Sequence, residues 1–261
     1  MKEANTGRWW GEFEFAEDER RWWTLGPLLL GAERKRHEWR IGHEEFSNGE
    51  AAVPETNRAV DELETSGRFV FANPGAAIRL TPALADRPVV TRPLSPVSVP
   101  TGESVLLFVS SPAWVRVEAV VPGVELADVP VARPSDTWFG ASTREGEICY
   151  ATRTSGRLRL EDLPVQPYRV ITPLEIVNDS SVTLSLERLS LPVPYLTIYW
   201  SAPLGLWTQK IKMRCEDEAE LVTFRIRQRA PSQISGAEQI TSPRKVQDNR
   251  VIQRALSSLF G

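Results

Sequence analysis

The run from residue 168 to residue 229 constrains this chain more than any other stretch, because its apolar residues recur at spacings that suit strands. From 168 to 178 nearly every side chain is apolar or β-branched, the pattern of a strand buried on both faces. Asn178-Asp179 then supplies turn chemistry. Val182, Leu184 and Leu186 alternate with Thr183, Ser185 and Glu187, the two-residue period of a half-buried strand. At Arg188 the phase slips, and Leu189, Leu191 and Val193 carry the apolar side, as a β-bulge would produce. Pro192 and Pro194 end pairing there or place the segment on a sheet edge. Residues 196–200 make the next strand and Pro203-Leu204-Gly205 the next turn.

Residues 206–214 and 219–229 read as a hairpin around an acidic turn at 215–218. With Arg214 opposite Ala219, Trp207, Ile211 and Met213 share a face with Val222, Phe224 and Ile226. The other face collects Lys210, Lys212, Arg214, Arg225, Arg227 and Arg229. One apolar and one basic side describe a half-solvated antiparallel sheet.

Elsewhere the same grammar holds. Twenty prolines and 16 glycines are spread along the 261 residues as punctuation between short β-branched runs, which points to an all-β protein. Trp9, Trp10, Trp22, Trp23 and Trp39 crowd the first 42 residues and suggest an up-and-down meander with an aromatic core. The functional alternative is an exposed aromatic platform for sugars or bases. Residues 54–65 hold a thin helical stripe of Ala59, Val60 and Leu63, and residues 69–71 and 77–80 suggest a hairpin around Asn73-Pro74-Gly75. Pro82, Pro88, Pro93, Pro96 and Pro100 exclude helix and central strand and mark a boundary or crossover. Residues 105–109 and 114–121 form two strands turned at Ser110-Ser111-Pro112, with a further strand expected over 124–131. Trp138-Phe139-Gly140 precedes a polar loop and a strand over 147–152. After Arg229 the chain turns polar, as a linker would, and Asp248-Asn249 caps a short helix reaching Leu259. The expected division is a meander over 1–81, an antiparallel β-sandwich over 82–233, and a linker with a helical tail over 234–261.

A net charge of −3 argues against a dedicated nucleic-acid binder. No apolar run approaches the ~18–20 residues of a membrane span, and the start lacks an apolar signal core, so the expected compartment is the cytoplasm. Cys149 and Cys215 fit a reducing compartment as small buried hydrophobes, with a pairing between them left open. His37 and His43 cannot share a metal on a regular strand or helix, and there is no CxxC or HExxH, so neither metal nor cofactor is expected. No G-x-S-x-G, phosphate loop or Walker motif occurs, and no residue is assigned a catalytic role.

The basic strand face is the one cluster with binding chemistry, able to meet phosphate, acidic lipid or an acidic partner. Its bland reading is a solvated face balanced by Glu216, Asp217, Glu218 and Glu220. Two functions follow. The first is a non-enzymatic binding or assembly module using a protein partner or self-association, with Lys210, Lys212, Arg225 and Arg227 as candidate binding residues. The second is a small-ligand, carbohydrate-binding or hydrolytic β-protein with its site near Trp138, Arg144 and Arg153.

Several short pieces also resemble the prokaryotic, largely archaeal family catalogued as domain of unknown function 432. They are Trp9-Trp10-Gly11, residues 28–33 with Glu38-Trp39-Arg40-Ile41, and Val97-Ser98-Val99-Pro100. Trp138-Phe139-Gly140 with Gly146-Glu147-Ile148-Cys149, residues 174–178, and Ile198-Tyr199-Trp200 complete the set. The resemblance covers most of residues 8–229 and leaves the tail outside. It implies no assigned activity and no transferable catalytic residue. Through that family's gene neighbourhoods, which often hold small mechanosensitive-type channels, the resemblance also implies an accessory role at a membrane surface or membrane protein.

Overall fold

A computed structural model describes residues 7–46, 59–93, 95–140, 142, 144–151, 155–202, 204–216, 221–246 and 251–254. In chain order the first strands are β1 (Gly11–Glu14), β2 (Arg20–Leu25), β3 (Leu28–Arg34), β4 (Glu38–Glu45), β5 (Thr65–Val70) and β6 (Ala77–Ala83). Then come β7 (Val89–Thr91), β8 (Val97–Val99), β9 (Ser104–Pro112), β10 (Trp114–Ala119), β11 (Val124–Pro130), β12 (Ser135–Phe139) and β13 (Glu147–Ala151). The remainder are β14 (Ser155–Arg157), β15 (Arg169–Asn178), β16 (Leu184–Leu186), β17 (Leu189–Leu191), β18 (Ile198–Ser201) and β19 (Gly205–Thr208). β20 (Ile211–Cys215), β21 (Leu221–Ile226), β22 (Glu238–Thr241) and β23 (Val251–Arg254) close the series. The protein is all-β and its sheets are mainly antiparallel. It divides into two compact units, Met1–Ala83 with Ala113–Arg133, and Leu84–Pro112 with Pro134–Gly261.

The first unit pairs two four-stranded sheets, β1-β6-β10-β11 and β2-β3-β4-β5. Aromatic rings join them: Phe13 meets Trp23 at 5.2 Å between centroids, and Phe15 meets Trp39 edge-on at 5.1 Å. Trp39 is fully buried, and its indole N–H donates to the Pro74 carbonyl at 2.8 Å. The paired tryptophans of β2 split between the two faces. Trp23 turns inward, whereas Trp22 lies across the other face of β3, where a Cβ on Gly31 would sit 2.5 Å from its ring. With Trp9 and Trp10 buried too, the N-terminal tryptophans are core and near-core residues and form no open platform. On the outer face Arg20, Glu33, Arg40 and Arg68 stand in one cross-strand row. The buried Glu33 carboxylate takes Arg20 at 3.1 Å, Lys35 at 3.0 Å and Arg40 at 3.5 Å, so its charge is compensated.

The second unit holds a nine-stranded sheet, a four-stranded sheet β12-β13-β7-β17 and the pair β16-β8. β15 is the axis of the large sheet. β9 runs antiparallel along one of its edges, and β19 and β20 run parallel to it in succession on the other. The partners of β15 shift by one residue between the two, from Ile171↔Trp207 to Leu174↔Ile211. The extra residue is a bulge around Gln209, whose buried side-chain carbonyl accepts the Thr197 N–H at 2.8 Å. Because strand side chains alternate, that insertion turns Trp207 to the face opposite Ile211 and Met213. The expected grouping of all three on one face is therefore corrected.

Other local expectations change for the same reason: pairing is not local. The β20–β21 register is Met213↔Phe224 and Lys212↔Arg225, four residues from the expected one. An even shift preserves the faces, so Phe224 is buried at 2 % exposure while Arg225 is solvent-exposed. Ile226 is only half-buried. The phase slip at Arg188 is a change of partner: β16 pairs with β8 and β17 with β7. β5 and β6 enter different sheets and form no hairpin, and β9 runs through Ser110-Ser111-Pro112 to Pro112 without pairing to β10. The polar segment after Arg229 contributes β22 to the sheet edge beside β18. No helix is found where one was expected before Leu259: Val251–Arg254 is an antiparallel strand on β21, and residues 255–261 lie outside the described residues. Of the stripe expected over 54–65, residues 54–58 lie outside as well, and a single 3-10 turn spans Val60–Glu62.

Candidate functional site

The large sheet shows two chemistries on one face. Ile171, Phe108, Tyr199 and Trp207 form a cluster there that is closed over by Leu163 and Ile234. Further along the same face, Glu175, Lys212 and Arg225 stand in register across β15, β20 and β21. Glu175 lies 3.2 Å from Lys210 Nζ and 4.0 Å from Lys212 Nζ. Asp179 lies 3.1 Å from Arg214 Nε, and Glu216 lies 3.9 Å from Nη1 of the same side chain. Lys210, Lys212 and Arg214 thus each face a carboxylate, of Glu175, Asp179 or Glu216.

Arg225, Arg227 and Arg229 are exposed, and among the described residues none of them has an ion pair or a side-chain hydrogen bond. Arg227 continues the ladder past β21, its backbone N–H donating to the Lys210 carbonyl at 3.0 Å. Where β21 ends, a cleft of about 640 Å³ opens, lined by Lys210, Ile226, Arg227, Gln228 and Arg229 and by the following residues through Gln233. That wall is held in place. Pro231 and Ile234 are buried, Ala230 and Ile234 pack on the Trp207 cluster, and Ile234 N–H donates to the Pro231 carbonyl at 3.1 Å.

The structure therefore brings Lys210, Lys212, Arg225 and Arg227 together on one sheet. Trp138 and Arg144 belong to the β12–β13 hairpin of the four-stranded sheet in this unit. Trp138 is 43 % exposed opposite Ile148, and its indole N–H donates to Ser142 O at 2.8 Å. Arg144 is exposed in the turn, its backbone N–H bonded to Ser142 Oγ at 3.2 Å. Arg153 lies outside the described residues. Sequence reasoning did not single out Glu175, Gln228, Ser232 or Gln233. Only the polar, proline-containing composition after Arg229 signalled the last two, and it signals a linker equally well.

A second cleft, of about 560 Å³, lies in the first unit. His43, Glu45, Glu64, Thr65 and Arg133 line it above Leu28 and Val129. Burial lowers the His43 pKa, with Glu64 acting in the opposite direction. Among the described residues no three His, Cys, Asp or Glu side chains are placed to hold a metal ion. Neither cysteine is an activated nucleophile. Cys149 and Cys215 are free and buried, and burial pushes each thiol up to about 11. The Cys149 thiol has the Ser190 hydroxyl as a hydrogen-bonding neighbour at 3.7 Å.

The model of the family described as "Protein of unknown function (DUF432)" matches residues 9–260. The chain belongs to that family. The match takes in the C-terminal segment, so the tail is part of the family's pattern and not an addition to it. No curated protein and no solved structure matches this DUF432 member. Among its described residues no helix is long and apolar enough to cross a membrane.

Proposed function

We propose that this DUF432 member is a non-enzymatic binding module that captures an anionic partner at the end of β21. The observation that carries the reading is the set Arg225, Arg227 and Arg229: exposed, without an ion pair among the described residues, and flanking or lining a cleft with an anchored wall. Cations that merely solubilise a sheet face need no such wall.

The test is retention on immobilised polyanions, both heparin and polyglutamate, at about 0.15 M salt. The full chain should be retained on at least one of them, and Arg225→Glu/Arg227→Glu/Arg229→Glu should elute in the void with unchanged circular dichroism. Equal retention of the triple variant, or no retention of the natural chain, would refute the proposal. A second reading is favoured by the exposed Trp138 ring, which could stack on a sugar. Quenching or blue-shift of fluorescence by oligosaccharides, lost in Trp138→Ala, would support it.

A further inference from the structure

We infer that the cleft at the end of β21 takes a small organic molecule bearing two or more phosphoryl groups; this rests on the anion-binding reading above. The first ground is donor chemistry. The polar side chains lining the cleft are Lys210, Arg227, Gln228, Arg229, Ser232 and Gln233, with no carboxylate among them. A guanidinium presents five N–H donors, an ammonium three and an amide two. A phosphoryl group answers with three strong acceptor oxygens and close to two charges, where a carboxylate offers two oxygens and one charge. The planar fork of arginine matches phosphate in a bidentate way.

The second ground is number. Lys210 already faces Glu175 at 3.2 Å, which leaves Arg227 and Arg229 as the charges of the lining that have no ion pair among the described residues. Arg225 stands one strand period before Arg227, about 6.6 Å along the backbone. One phosphoryl group cannot neutralise this row, whereas a chain or ring carrying several can. The third ground is size and polarity. A cleft of about 640 Å³ falls inside the range typical of small-molecule sites. Ile226, Ala230 and the buried Pro231 give it an apolar wall, against which an organic moiety can rest.

Isothermal titration of the full chain at about 0.15 M NaCl, with inorganic tripolyphosphate, inositol trisphosphate and citrate as separate titrants, tests this. Both phosphorylated titrants should bind, each about tenfold or more tighter than citrate. Arg227→Gln/Arg229→Gln should weaken them by about tenfold or more. Ser232→Ala/Gln233→Leu should narrow the phosphate preference while the triple-arginine surface still retains heparin. Citrate binding as tightly as the phosphates overturns the ligand class and leaves anion capture standing. So does binding to phosphatidylcholine vesicles containing phosphatidylinositol bisphosphate without binding to the free titrants, because the occupant is then a membrane. No titrant binding together with no retention on either polyanion removes both proposals.

Discussion

Replacing Asn178 with alanine should unfold the second unit more easily than any surface change in it. Asn178 ends β15 with its side chain fully buried. Its Nδ2 donates to the Val99 and Val182 carbonyls, each at 2.8 Å. Its Oδ1 accepts the Ser180 N–H at 3.1 Å and lies 2.6 Å from Ser180 Oγ. Alanine removes these four hydrogen bonds, leaving the buried Val99 carbonyl and Ser180 amide without them, while the Val182 carbonyl keeps the Ser180 hydroxyl at 3.1 Å. At about 1 kcal/mol for each, the loss is about 2–4 kcal/mol. With a urea slope of ~2 kcal/mol/M, the midpoint should fall by about 1–2 M. Two units need a probe that sees only one of them, and the molecule supplies it. Cys149 and Cys215 both lie in the second unit and both are buried, so pulsed thiol labelling in urea follows that unit alone. Asn178→Asp is the discriminating control: it keeps the acceptor for Ser180 but turns an oxygen toward two carbonyls, and should be at least as destabilising. A loss below about 1 kcal/mol in the alanine variant, or an aspartate variant as stable as the natural chain, would refute the argument.

Three further outcomes are expected. Phe224→Ala should cost about 3–5 kcal/mol in the same labelling assay, since the ring is 2 % exposed beside Met213, and a loss under 1 kcal/mol would show that the strand packs otherwise. Both thiols should resist alkylation at neutral pH in the folded chain, because burial raises their pKa to about 11; prompt reaction of either without denaturant contradicts this. The His43 pKa is lowered in the folded state, so its contribution to stability is fully present above the unfolded value of 6.5 and is lost as pH falls through the folded value. Tryptophan-detected unfolding should therefore show a weakening below 6.5 that His43→Gln reduces, and identical pH profiles would exclude the histidine as its source.

Much of the strand content was readable because period-two alternation is a local property of the chain. The alternation of Leu184, Ser185 and Leu186 and the opposition of Phe224 and Arg225 across β21 follow from it, whereas Val182, expected on the same apolar face, lies before the strand and is 47 % exposed. The all-β class and the collection of basic residues on one strand face were likewise visible. What sequence could not decide is which strands meet, because that depends on contacts between residues far apart. The extra residue at Gln209 turns Trp207 away from Ile211, and its signature appears only in pairing to β15. Glu175 silences Lys210 and Lys212 from a strand some thirty-five residues earlier, while nothing described reaches Arg225, Arg227 or Arg229. The wall at 230–234 looks like a linker in composition and becomes a fixed surface because Pro231 and Ile234 are buried, with Ile234 packed over Trp207. A row of charges becomes a candidate site only when tertiary packing determines which of them stand without an ion pair, and beside what wall.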